Sequence, residues 1–157
     1  MQQAQVEIIE RKLAGDRGTY FRGTARVRLQ RLHFGDQCSR ELDRKIVESL
    51  KDTFEIEGCL RLEPSHHIPA LIDRQTLELA IKSSPGVSAA ALLDNPKKLP
   101  PELKLNCSLE CLHGRHRLQA AREILLPKDK WWTVDLYLTG MYTSQHFAFS
   151  NERVTRY

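Results

Sequence analysis

Arg115, His116 and Arg117 directly follow Gly114 at a junction between two apolar runs. Upstream, Leu105 to Leu112 reads as a strand. Downstream, Arg115 to Leu126 reads as a helix that Pro127 ends. The first turn of a helix offers backbone N–H groups without intrahelical partners and a partial positive charge. Basic side chains added there make an anion site, and phosphate is the anion such sites most often hold. Arg117 is expected to point from the first turn toward phosphate, where a guanidinium forms paired, charge-assisted bonds. Gly114 is expected to adopt a conformation, or a closeness to ligand, that a β-carbon prevents. His116 is the titratable group of the motif suited to proton transfer near neutrality. Beside two arginines it is expected to be neutral and to orient a phosphate or a water. The plainer alternative is a tight turn carrying exposed basic residues.

Other residues add to this constellation. His67, preceded by His66, opens a strand expected to neighbour the signature strand, which brings it into reach of the phosphate site; a surface loop pair is the alternative. Asp135 and Glu110 lie on or beside central strands, where a carboxylate can hold magnesium near phosphates. Glu48, Asp52, Glu55 and Glu57 read as a solvated helix face, and their spacing selects no base. Cys107, Cys111, His113 and His116 resemble a string of metal ligands. Residues four apart in a strand, however, lie ~13 Å apart along its axis, against zinc–sulfur bonds of ~2.3 Å. No metal site is assigned, and both cysteines are expected at buried strand positions. Of Trp131 and Trp132, one is expected to anchor the core and the other to be half-exposed, with base stacking as a role for Trp131.

The elements that must position these residues follow from hydrophobic period. Ala25, Val27 and Leu29 alternate with Arg26, Arg28 and Gln30, so Thr24 to Leu32 reads as a half-buried strand. Its arginine row, with Arg31, is either solvated edge charge or a track for a phosphate backbone. Ser39 is a candidate N-cap for a helix with Leu42, Ile46, Val47, Leu50 and Phe54 on one face, stopped near Gly58. His67 to Ile72 reads as a strand with Pro69 near its start, where a missing N–H is tolerable. Asp73 caps a second helix through Leu77, Ala80 and Ile81. Residues 83–101, rich in proline and serine, read as a loop insertion or lid with one helical turn at Ala89 to Leu93. Trp131 to Leu138 closes the domain as a strand, with Trp132, Val134, Leu136 and Leu138 on one face. This order implies a small α+β domain. It is expected over residues 24–140, with residues 1–23 an N-terminal extension. Residues 141–157 are expected to continue into a longer protein.

Composition narrows the classes. No apolar run approaches the ~18–20 residues of a membrane-spanning helix, and Met1 to Arg17 lacks the apolar core of a secretory signal. The four cysteines are irregularly spaced in a chain that is not small. They are therefore expected to be reduced and the protein intracellular, nuclear or cytoplasmic. A net charge of +4 is compatible with an acidic partner but too mild to require nucleic acid.

The motifs resemble the ParB/sulfiredoxin superfamily. The residues that carry the likeness are Ile46-Val47-Glu48-Ser49-Leu50-Lys51 with Gly58, the strand Ile68-Pro69-Ala70-Leu71-Ile72, and Gly114-Arg115-His116-Arg117-Leu118-Gln119-Ala120-Ala121. The closing strand Trp132 to Leu138 completes it. The resemblance implies a small mixed sheet with helices packed on it. It also implies a nucleoside triphosphate (CTP or ATP), often with magnesium, held at Gly114, Arg115, His116 and Arg117, with His67 beside them. ParB relatives bind and hydrolyse CTP, sulfiredoxins use ATP, and other relatives phosphorylate free serine or cleave nucleic acid. Arg115 stands where sulfiredoxins keep a cysteine and ParB proteins a glutamate, so sulfiredoxin chemistry is rejected and CTP hydrolysis loses a carboxylate. The usual Gly-x-x-Gln-Pro is missing, and His66-His67 replaces its glutamine. The expected function is a nucleotide-binding module, a switch or slow NTPase within a DNA-associated protein, in which a homodimer is compatible. A phosphotransferase or nuclease on the same fold, or a degenerate DNA- or protein-binding scaffold, is the alternative. The phrase Leu112 to Arg117 with Trp131 to Asp135 also resembles a fungal family of large proteins whose biochemical role is not established.

Overall fold

The computed structural model describes residues 20–35, 41–94 and 99–139. It is an α+β domain built on one mixed sheet of order β1-β5-β3-β4-β2. The strands are β1 (Phe21–Arg28), β2 (Leu32–Phe34), β3 (Ile68–Ile72), β4 (Leu109–Cys111) and β5 (Trp131–Leu138). The helices are α1 (Arg44–Glu57), α2 (Arg74–Ser83), the single turn α3 (Ala89–Leu92) and α4 (Arg115–Ile124). β1 runs antiparallel to β5, β5 parallel to β3, β3 antiparallel to β4, and β4 parallel to β2.

The expected strand Thr24 to Leu32 is in fact two strands on opposite edges of the sheet. A 3-10 turn at Leu29–Arg31 separates them. The buried residues Ala25, Val27 and Leu29 keep the strand period of two, but the next, Leu32, comes three later. Three residues per turn is the 3-10 period, so the chain leaves one edge at Leu29 and joins the other at Leu32. The expected strand Leu105 to Leu112 shrinks to Leu109–Cys111. Cys111 is buried, as expected; Cys107 is exposed, against expectation, because the strand does not reach it. α4 stops at Ile124 rather than Leu126. Pro127 forbids helical backbone at Leu126, and Leu125 is already extended.

One face of the sheet carries the main core. Trp132, Val134, Leu136 and Leu138 alternate into it as expected, with Ala25, Val27, Ile68, Ala70 and Ile72 beside them. Leu118 and Ala121 bring α4 onto this face. α1 lies over α4, burying Val47 and setting the Phe54 ring 6.0 Å from Trp132. A charged seam joins the two helices. Arg44 reaches Glu123 at 2.7 Å and Glu48 at 2.8 Å, and Lys51 reaches both carboxylates. The Arg44 hydrogen bond, helped by Gln119 and Lys51, holds the Glu123 carboxyl far below the usual carboxylate range.

Caps fall where turn chemistry puts them. Asp43 accepts from Lys45 N–H at the start of α1, Asp73 from Thr76 N–H at the start of α2, and Ser88 from Ala91 N–H at the start of α3. The expected cap Ser39 lies outside the described residues. Gly58 ends α1 with φ 86°, donating its N–H to Phe54. Pro69 is the second residue of β3 and accepts Leu112 N–H on its carbonyl. Within the expected insertion 83–101, the described turn α3 packs into the domain. Leu92 is buried in the core, and its backbone sits where a β-carbon at Gly23 would be.

Thr133 is fully buried, and its hydroxyl has no hydrogen-bond partner among the described residues. A buried unpaired polar group costs about 1–3 kcal/mol. Thr133→Val keeps the branched shape and removes that cost, so chemical denaturation should show a gain of about 1 kcal/mol.

Candidate functional site

The site forms where β4 ends and β3 begins. Leu112 N–H binds Pro69 O at 2.9 Å, which fixes the turn after β4 against the start of β3. Gly114 then opens α4 in the left-handed conformation, with φ 96° and ψ 19°. A β-carbon there would lie 2.9 Å from Ile68 Cγ1 and 3.0 Å from its Cδ1. Glycine is therefore demanded twice, by backbone conformation and by the packing of α4 onto β3. No side chain caps this helix, and its first turn holds no acidic residue.

The three basic residues that follow diverge, as 100° per residue requires. Arg115 lines a shallow cavity of about 330 Å³ between β2 and α4, with His33, Leu42, Gln119 and Arg122 around it. His116 turns to α1, its Nε2 accepting the Asp43 N–H at 3.0 Å. An accepting Nε2 makes the ring neutral in that pose. Burial lowers the His116 pKa, Arg115 adds to the effect and Asp43 opposes it. Arg117 points to the start of β3, where its Nη1 approaches His66 O at 3.4 Å, beside the 2.9 Å bond that Trp132 Nε1 donates to the same carbonyl. Of the expected grip, the structure brings Arg117 and His67 to one place and turns Arg115 and His116 elsewhere.

Around Arg117 the sheet supplies groups that spacing alone did not assemble. His67 Nδ1 lies 3.0 Å from Asp135 Oδ1, and the two side chains are only 8% and 15% exposed. Thr24 Oγ1 donates to the same carboxylate oxygen at 2.8 Å. A carboxylate accepts, so Nδ1 carries the proton and Nε2 is the acceptor of the neutral ring. His113 completes the group. Its burial and the nearby Arg117 lower its pKa to about 4, against the pull of Asp135. Asp135 thus faces the cluster, whereas Glu110 turns toward Gly35 near β2. Glu48 is committed to Arg44 and Lys51, and Asp52, Glu55 and Glu57 are exposed on α1.

Next to this group, Trp131 is half-buried, with the Arg61 guanidinium 3.6 Å from its ring centre and Arg26 at 5.5 Å. One face of the ring is therefore already occupied by a cation. Cys59 lies close by; burial raises its thiol pKa, and Arg61 and Arg117 counter that only in part. No group of three or more His, Cys, Asp or Glu side chains suited to a metal ion forms among the described residues.

Residues 20–153 match the family described as the N-terminal domain of a protein of unknown function, DUF3723. The chain belongs to this family. No curated protein and no solved structure matches it. The match begins at Tyr20, where the described structure also begins, so this DUF3723 domain takes in the whole of β1, including residues 21–23. Its signature strand, turn and helix and the His67–Asp135 pair all lie inside the match.

His113 gives the site a pH signature. Its folded-state pKa lies below the ordinary histidine value, so between about 4 and 6.5 the unfolded chain binds the proton more strongly. Stability is therefore complete above about pH 6.5 and falls as pH drops toward 4, by roughly 2–4 kcal/mol. His113→Asn should flatten that part of the stability–pH curve measured by urea denaturation. Gly114→Ala should cost at least about 1–2 kcal/mol from backbone strain alone, measured in the same way.

Proposed function

We propose that this domain binds the phosphates of a nucleoside triphosphate at the start of α4. The observation that carries the reading is a ten-residue helix opening at a left-handed glycine, with no side-chain cap, no acid in its first turn and Arg117 within it. The helices α1, α2 and α3 each have a side-chain oxygen on their N-terminal amides. At α4 a phosphate oxygen would take that place, where amides and macrodipole favour negative charge. The half-buried cluster of His67, His113 and Asp135 supplies a partly desolvated wall, where charge-assisted bonds gain strength. The likeness of the signature to ParB and sulfiredoxin proteins supports the same ligand class, CTP or ATP.

Magnesium would arrive with the nucleotide. Mg²⁺ commonly takes one or two protein carboxylates and completes its shell with phosphates and water. Asp135 is the carboxylate at hand, with its Oδ1 already accepting from Thr24 and His67. The arginines of β1 favour nucleotide over a DNA backbone. Arg26 Nε donates to Pro100 O at 2.7 Å, and Arg28 donates to the Pro127 and Lys128 carbonyls. These guanidiniums hold the domain's own loops.

The test is a thermal shift and calorimetric titration with each of the four ribonucleoside triphosphates, with and without magnesium. A ligand at 100 times its dissociation constant should stabilise the fold by about 2.7 kcal/mol. Arg117→Ala should remain folded and lose that stabilisation. No shift with any nucleotide, or unchanged affinity in Arg117→Ala, overturns the reading.

A further inference from the structure

We propose that the cavity between β2 and α4 is a second anion site, one that takes the phosphoryl group of a small organic phosphate monoester. It stands independently of the nucleotide reading, because Arg115 and Arg122 line it and Arg117 does not. Arg115, Gln119 and Arg122 follow one another at steps of four and three residues, so they form one stripe along α4. The two arginines lie two turns apart, about 10 Å along the helix axis. All three side chains line one cavity of about 330 Å³. Leu32 and Phe34 of β2, with Leu42 just before α1, make its apolar wall. Small-molecule sites begin at about that size.

Arg122 is the residue that calls for an anion. It is half-buried, and among the described residues its guanidinium makes one hydrogen bond, to Leu32 O at 2.7 Å. A backbone carbonyl carries no net charge to offset the cation. No carboxylate pairs with Arg122 among the described residues. The adjacent Glu123 is turned to Arg44, Lys51 and Gln119 instead. Burial lowers the Arg122 pKa, and Cys111 opposes that only in part. A guanidinium nevertheless stays protonated. Its charge is thus held partly out of water, which costs free energy until an opposite charge arrives. Arg115 brings a second guanidinium to the same cavity, and no lining side chain among the described residues is acidic.

Charge and shape select the ligand class. Two guanidiniums match a group that carries two negative charges. A phosphate monoester bears about −1.5 to −2 at pH 7 and offers three acceptor oxygens, enough for paired bonds from both arginines. A carboxylate brings a single charge. The apolar wall of Leu32, Phe34 and Leu42 then favours an ester with an apolar body over inorganic phosphate, because covering that body removes apolar surface from water.

The experiment is a calorimetric titration of the full chain with phenyl phosphate, inorganic phosphate and benzoate. Phenyl phosphate should bind about tenfold or more tightly than inorganic phosphate, the effect of covering one aromatic ring. It should also bind more tightly than benzoate, which has the ring but only one charge. Arg122→Gln should weaken phenyl phosphate by about tenfold or more, the loss of charge-assisted bonds. Arg122 also holds β2, so Arg115→Gln is the second variant, with a loss expected in the same direction. Thermal melting shows that each variant is folded. Arg117→Ala should leave phenyl phosphate binding unchanged. The inference is overturned if phenyl phosphate does not bind wild type at millimolar concentration, or binds no better than inorganic phosphate or benzoate. Affinity that survives both Arg122→Gln and Arg115→Gln overturns it as well. Binding that Arg117→Ala abolishes also overturns it, since the anion then sits at the start of α4, and the nucleotide reading is left standing.

Discussion

Ile68 leaves no room for a β-carbon at residue 114. That contact sets the distance between α4 and β3, and most of the site follows from it. With Gly114 seated on Ile68, the first turn of α4 meets the start of β3, and Arg117 comes to the His66 carbonyl. The carbonyl is already held by Trp132 Nε1, from a ring that is wholly buried in the core. Sheet core, β3 and α4 are therefore tied together around one peptide group. A larger residue at position 114 would push α4 off the sheet and meet a positive φ that a β-carbon disfavours. Small residues continue the logic, since Ala120 and Ala121 are fully buried where the helix runs close to the strands.

The polar half of the site depends instead on register. Thr24 pairs with Asp135 across the antiparallel β1–β5 ladder, and Pro69 pairs with Asp135 across the parallel β3–β5 ladder. These pairings put Thr24 and the start of β3 on either side of one carboxylate. A slip of one residue in either ladder would send Asp135 to the apolar face. The core forbids that slip, because Trp132, Val134, Leu136 and Leu138 would then face outward. The hydrophobic pattern of β5 thus holds the acid in place without touching it.

These two constraints explain what could be read from the sequence and what could not. The α+β class, the faces of β5, the caps at Asp73 and Gly58 and the glycine at the head of α4 are local, and residue type and period declare them. β1 and β2 read as one strand because alternation runs up to Leu29 and no glycine or proline follows before Leu32; the signal against one strand is the three-residue step from Leu29 to Leu32. Cys107 was expected inside because apolar neighbours suggested a longer β4. The basic motif was legible as a string, but the divergence of Arg115, His116 and Arg117 needs the surroundings of each, and those lie beside β2, at the cap of α1 and just before β3. His67 was legible only as a neighbour of the signature strand. Its bond to Asp135 joins residues 68 positions apart, and no spacing in the sequence encodes that.

The divergence of the basic residues also changes how the motif should be understood. Three consecutive helical side chains span more than half a turn, so they cannot all face one phosphate. His116 serves architecture, accepting the N–H of the residue that caps α1. That bond ties α1 to α4 at one end, while the Arg44–Glu123 seam ties them further along. Arg115 faces the β2 side and its cavity, and Arg117 lies near the half-buried His113 and the His66 carbonyl. The motif therefore couples three surfaces to one helix end. A ligand seated on the α4 amides would press on β3 through Arg117 and on α1 through His116. The two helices and the sheet would then be stabilised together, because each holds a side chain from the same turn.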